Sequence, residues 1–232
     1  MHPDSVASYG DSIGITIKPK TVIVEGTSDV ELLNFAAKLE FNSSGTDLLG
    51  EELAIVAAGT GDRGGVSGVV RELICFRGLA RTSLRSDGVP KYRFMGLFDN
   101  DHAGRQAVKS ICRIDSGVVE YKDVIRLFPV MPLQANLDPT TVKNSFERAN
   151  EKYRALDWEL EDLIPASILS AFFDEYPSAC MRSIEKLGFT HRDYTRDGKA
   201  LLHRYIKEYA VIKDLELVVS LLKFIRNIMN VR

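Results

Sequence analysis

Three acidic residues stand where apolar runs of this 232-residue chain stop. Glu25 follows "TVIV", and Asp99 and Asp101 follow "FMGLF" in the stretch "LFDNDHAG". If both runs are neighbouring strands of a parallel sheet, their carboxyl ends lie side by side and the three acids meet at one edge. Carboxylates gathered in that way repel one another unless a hard cation neutralises them. Mg²⁺ suits such a place, because it takes oxygen ligands, often one or two carboxylates, and keeps several waters. Asp101 has a second use as the cap of a helix beginning near His102. Gly26 has no side chain, so the loop after the first run lets a phosphate approach closely.

The elements that must position these acids are legible as an alternation. "TVIVEG" reads as a β-branched strand, and "SDVELLNFAAKLE" follows with helical spacing of its apolar residues. "ELAIVAAG" is a second strand, "VSGVVRELICFRGLA" a helix, and "SLRSDGVPKY" a loop broken by Asp-Gly and Pro. "YRFMGLFD" is a third strand, "AGRQAVKSICRI" a third helix, and "DVIRLFPV" a fourth strand closed by prolines. Strands alternating with helices of this length predict an α/β fold, with a mainly parallel sheet flanked by helices. From about residue 140 strand signals stop, and "TVKNSFERANEKYRAL", "PASILSAFFDEY", "GKALLHRYIKEYA" and "LELVVSLLKFIRNI" carry helical periodicity. The expected organisation is an α/β domain over 18–135 and a C-terminal helical lobe over 136–232.

On these residues the chain resembles the Toprim domain shared by topoisomerases, bacterial primases, small recombination proteins and the nucleases of the overcoming-lysogenization-defect (OLD) family. The matching features are "VIVEGTSD", the "VAAG" segment and "FDNDHAG", with Glu25, Gly26, Gly59, Asp99, Asp101 and Gly104 in order over roughly residues 20–130. Asp29, four residues after Glu25, is similar to the second acid of the OLD form, although that family usually has Glu there. The OLD branch implies a further acid in the helical region and then a lysine. "DWELEDLIP" offers Glu159, Glu161 and Asp162, of which Glu161 is preferred, and "TRDGKALLHRY" offers Lys199. The resemblance implies a nuclease that hydrolyses nucleic-acid phosphodiesters with Mg²⁺ or Mn²⁺, on DNA in preference to RNA. It would act as a phage-defence or mobile-element effector beside a separate ATPase or regulatory protein. Glu25, Asp99, Asp101 and Lys199 would be catalytic, and Glu25, Asp29, Asp99, Asp101 and Glu161 would hold metal. The alternative within the same fold is a module that binds nucleic acid or a partner without cutting.

Other features weigh less. "GTGDRGG" forms G-x-G-x-x-G after a strand, but the next strand ends at Asp99, far beyond the ~20 residues expected for a ribose-binding acid. The loop reads instead as a border of the metal edge, with Gly59 and Arg63 near phosphate. No G-x-x-x-x-G-K-[ST] occurs. His191 and His203 read as surface decoration of the helical lobe, His102 as an exposed first-turn residue, and Trp158 as a packing anchor. Cys75, Cys112 and Cys180 are scattered and odd in number, which suits reduced thiols in a cytoplasmic protein. No apolar run approaches the roughly 18–20 residues of a membrane span. Net charge is −2, yet residues 181–232 hold 11 Lys+Arg against 6 Asp+Glu, a basic tail on an acidic body.

Overall fold

The structure is a computed structural model and describes residues 4–59, 64–154, 156–186 and 188–231. Four strands, β1 (Lys20–Val24), β2 (Leu53–Ala57), β3 (Arg93–Phe98) and β4 (Val124–Arg126), form a parallel sheet in the order β2-β1-β3-β4. Val22 of β1 pairs with Ile55 of β2 and Met95 of β3, so the central strands run in one direction and end together. The expected mainly parallel α/β sheet is present.

Alternation along the strands divides the core. Val22 and Val24 face one side, where they join Leu32 and Leu33, and Ile23 faces the other with Val69, Leu73 and Phe94. Helices α3 (Gly65–Ala80) and α4 (His102–Ile114) cover the second face, together with α1 (Ser5–Ser12). The first face is covered by α2 (Thr27–Ser44) and by the later helices α5 (Pro139–Ala149), α6 (Ala166–Glu175), α7 (Arg196–Tyr209) and α8 (Glu216–Ile228). Leu202, Leu222 and Ile225 of α7 and α8 belong to the same buried cluster as Met95 and Leu97 of the sheet. Near-continuous apolar strands such as "TVIV" are what burial on both faces requires.

Two elements are not legible in the sequence. Helix α1 is one. The other is an antiparallel hairpin, β5 (Cys180–Lys186) and β6 (Phe189–Tyr194), inside the C-terminal helical region. Its outward residues include Met181 and Ile184, both exposed, while the buried position of β6 is His191. With a histidine where an aliphatic residue would mark the inner face, the period-2 signal disappears. Phe189 anchors the hairpin edge-on against Tyr153 and Trp158, at 5.0 and 5.5 Å between centroids. Among the described residues no helix is long and apolar enough to cross a membrane.

Candidate metal centre

Glu25 lies immediately after β1 and Asp99 immediately after β3, and these strands are hydrogen-bonded neighbours. The two carboxylates therefore stand at one edge of the sheet. Asp29 comes to the same place from the first turn of α2, where Oδ2 accepts the Gly26 backbone N–H at 2.9 Å. Glu25, Asp29 and Asp99 line one small cavity of about 10 Å³, with Leu127 and Leu160 behind them. That volume is about the size needed for a single water or ion.

The "DNDHAG" stretch divides its work among three residues. Asp99 supplies a carboxylate to the edge. Asp101 caps α4, its Oδ1 accepting the Gly104 N–H at 2.7 Å. Asn100 between them is buried and is structural: its N–H donates to Trp158 O at 2.8 Å and its side-chain amide to Leu156 O at 3.3 Å. That tie holds the segment carrying Glu159 and Glu161 against the sheet edge. Gly104 is needed for a steric reason, because a Cβ there would lie 2.0 Å from Asp99 O. His102 is exposed.

The later region supplies the other side. Glu161 sits in a 3₁₀ turn (Leu160–Leu163) and is 1% exposed. Its Oε1 is 3.0 Å from His203 Nε2, and its Oε2 is 3.1 Å from Lys199 Nζ. Lys199 also reaches Glu159 Oε2 at 3.2 Å. Thr195 caps α7 by accepting the Gly198 N–H at 2.8 Å. A Cβ on Gly198 would meet Ala179 O at 2.2 Å, so only glycine lets the helix start close enough to aim Lys199 inward.

The electrostatics reflect crowding of negative charge. Burial and the nearby Asp29 raise the Glu25 carboxyl to about 7. Burial, then Glu25 and Glu161, push Asp99 well above the usual carboxylate range, and burial and Glu161 raise Asp29. Glu161 behaves oppositely. Its burial disfavours charge, but the His203 hydrogen bond and Lys199 hold it down at about 2. Burial works against the Lys199 ammonium, yet Glu161, Glu159 and Asp99 together raise its pKa. One lysine thus serves several acids, and Glu25 Oε1 is buried without a hydrogen-bond partner among the described residues. A hard cation fits this donor set: oxygen ligands, excess negative charge, and an unsatisfied oxygen.

The sequence-derived site residues are therefore mostly brought together. Glu25, Asp29, Asp99, Glu161 and Lys199 form one electrostatically coupled group, and Asp101 borders it. Gly26 and Gly59 lie in the loops just after the first two strands, and the backbone of Gly64 approaches both loops closely, its Cβ position 3.0 Å from Gly59 O and 3.1 Å from Glu25 O. Arg63 lies outside the described residues. The two histidines read as surface decoration are buried instead: His203 bonds Glu161, and His191 bonds Asp162 at 2.7 Å. The spacing of Lys199 and His203, four apart on one helix face, was the available signal for the first. Glu159, His191 and Asp193 also bring potential metal ligands within 4.8 Å of one another. Trp158 is buried against Phe189, as expected of a packing anchor.

No family model matches the chain, and no curated protein matches it. Two solved structures of the C-terminal region of the Xanthomonas campestris pv. campestris OLD protein are similar. The one phased with platinum is 13% identical, covers 92% of this chain and 94% of its own, and has a TM-score of 0.39. The one phased with mercury is 14% identical, covers 93% and 98%, and has a TM-score of 0.40. The fold assignment rests on strand order and register in this chain alone.

Proposed function

We propose that this chain is a metal-dependent nuclease of the Toprim type, hydrolysing phosphodiester bonds of DNA in preference to RNA. The observation that carries the reading is the meeting of Glu25, Asp29 and Asp99 at one strand edge, with Lys199 paired to Glu161 and Glu159 opposite. Mg²⁺ or Mn²⁺, held by Glu25, Asp99 and Asp101 with Asp29 and Glu161 for a second ion, would supply Lewis-acid activation of water and of the leaving oxygen. Glu25 either reaches the ion as a carboxylate or, where Asp99 and Asp101 hold the ion, serves as general acid/base. Lys199 brings a fixed positive charge where negative charge grows on the phosphoryl oxygens. Glu159 and Glu161 hold that ammonium in place, and His203 in turn fixes Glu161. Gly26 and Gly59 leave backbone accessible at the strand ends, and Arg63 is assigned to phosphate. By resemblance, the setting is a cytoplasmic phage-defence or mobile-element effector governed by a separate ATPase or regulatory protein.

The test is direct. Purified chain is incubated with plasmid, single-stranded DNA and RNA, with Mn²⁺ or with chelator, beside Asp99→Ala. Metal-dependent cleavage that falls at least ~100-fold in Asp99→Ala is expected. Cleavage undiminished in that variant overturns the reading, as does no cleavage of any substrate with the partner supplied. A second reading, a non-cleaving nucleic-acid or partner-binding module, draws on the low net charge of −2 and on Lys199 being already paired. Salt-dependent binding without cleavage, retained when Asp99 and Asp101 are both replaced, would favour it.

A further inference from the structure

Beside the Glu25–Asp99 edge stands a second donor group that includes an imidazole and is built largely by the hairpin. Glu159 opens the 3₁₀ turn, and His191 and Asp193 lie two apart on β6, a spacing that puts both on one side of the strand. One ligand atom from each falls within 4.8 Å of the others. The His191 side chain is 9% exposed. Its Nδ1 is 2.7 Å from Asp162 Oδ2, and its Nε2 is 3.4 Å from Asp193 Oδ1. Asp162 is itself fixed, because the same Oδ2 accepts the Glu159 backbone N–H at 2.8 Å.

This is how an imidazole is prepared for a metal. A carboxylate that takes the proton of one ring nitrogen fixes the tautomer and turns the other lone pair outward. A bridging imidazolium between Asp162 and Asp193 would account for the buried ring. Glu159 brings a second carboxylate to the same point while its Oε2 keeps Lys199 at 3.2 Å. One nitrogen and two carboxylate oxygens form a three-ligand set with an open position, which zinc and its neighbours in the first transition row accept, whereas Mg²⁺ prefers oxygen alone.

We propose that Glu159, His191 and Asp193 bind a zinc-like transition-metal dication, oriented by Asp162 and separate from the carboxylates at the sheet edge. Glu159 is shared with Lys199, so a metal here competes for the charge that holds that lysine.

The experiment titrates the full chain, stripped with chelator, with Zn²⁺ alone by calorimetry and with Co²⁺ alone by visible absorption. Wild type and Asp99→Ala should both show this site with equal affinity. His191→Asn and Asp193→Asn should weaken it at least ~100-fold and erase the Co²⁺ bands, and Asp162→Asn should weaken it about 10–100-fold. Asp193 is 40% exposed, so its variant decides the matter if His191→Asn melts early. Titrations of both variants that superimpose on wild type overturn the proposal. Loss of all Zn²⁺ binding in Asp99→Ala also overturns it, by assigning the metal to the edge. Neither readout depends on cleavage, so failure of the nuclease reading leaves this result distinct.

Discussion

Replacing Glu25 with Gln separates the cost of the acidic edge from its use. In the folded chain this carboxyl titrates at about 7, against an ordinary 4.5, because it is buried beside Asp29. A folded-state pKa raised above the unfolded value contributes stability that is fully present below about 4.5 and lost as pH rises through about 7. The shift corresponds to about 3 kcal/mol at ~1.4 kcal/mol per unit. In chelator, wild type should therefore be less stable at pH 8 than at pH 5. Asp29 and Asp99 are raised too and push in the same direction. Glu25→Gln removes one buried charge but leaves an amide to satisfy, so it should stabilise the metal-free chain at pH 8 by about 1–3 kcal/mol. For a chain of this size that is roughly 3–10 °C in Tm. The assay is thermal unfolding of both proteins in EDTA at pH 5 and pH 8, repeated with Mn²⁺. Added metal should stabilise wild type at pH 8 and help the variant far less. A variant that melts lower than wild type at pH 8, or that keeps the full pH 5-to-8 decline, refutes the reasoning.

Further variants test how the site is positioned. Asp101→Asn keeps an oxygen for the Gly104 N–H, so Tm should stay within ~2 °C while Mn²⁺ affinity falls if Asp101 is also a ligand; unchanged calorimetric affinity would leave it a cap alone. Gly104→Ala places a Cβ 2.0 Å from Asp99 O, and should cost about 1–3 kcal/mol in urea unfolding and lower metal affinity. Gly198→Ala meets Ala179 O at 2.2 Å and should displace Lys199, lowering kcat of Mn²⁺-dependent cleavage more than metal affinity. Asn100→Ala removes the amide bond to Leu156 O and a contact of Arg126 at 3.1 Å, and should destabilise by about 1–3 kcal/mol, read in the same unfolding series.

Much of this protein is determined by local pattern. The β-branched runs, the helical periodicities between them and the acids at run ends predicted the sheet, because strands buried on both faces must be apolar along their whole length. The ordered pair "VIVEG" and "FDNDHAG" placed Glu25 and Asp99 correctly at neighbouring strand ends, since parallel pairing aligns carboxyl termini whatever lies between. What lay beyond the sequence is what depends on partners distant in the chain. Which acid of "ELED" is buried, that His203 holds Glu161, and that Asn100 fastens the later segment to the sheet were all settled by packing across 40 or more residues. The hairpin escaped for the same reason: its inner position is His191, a polar residue made tolerable by its bond to Asp162. Charge type and spacing were written in the sequence. Burial and pairing, which set how those charges behave, belonged to the tertiary structure.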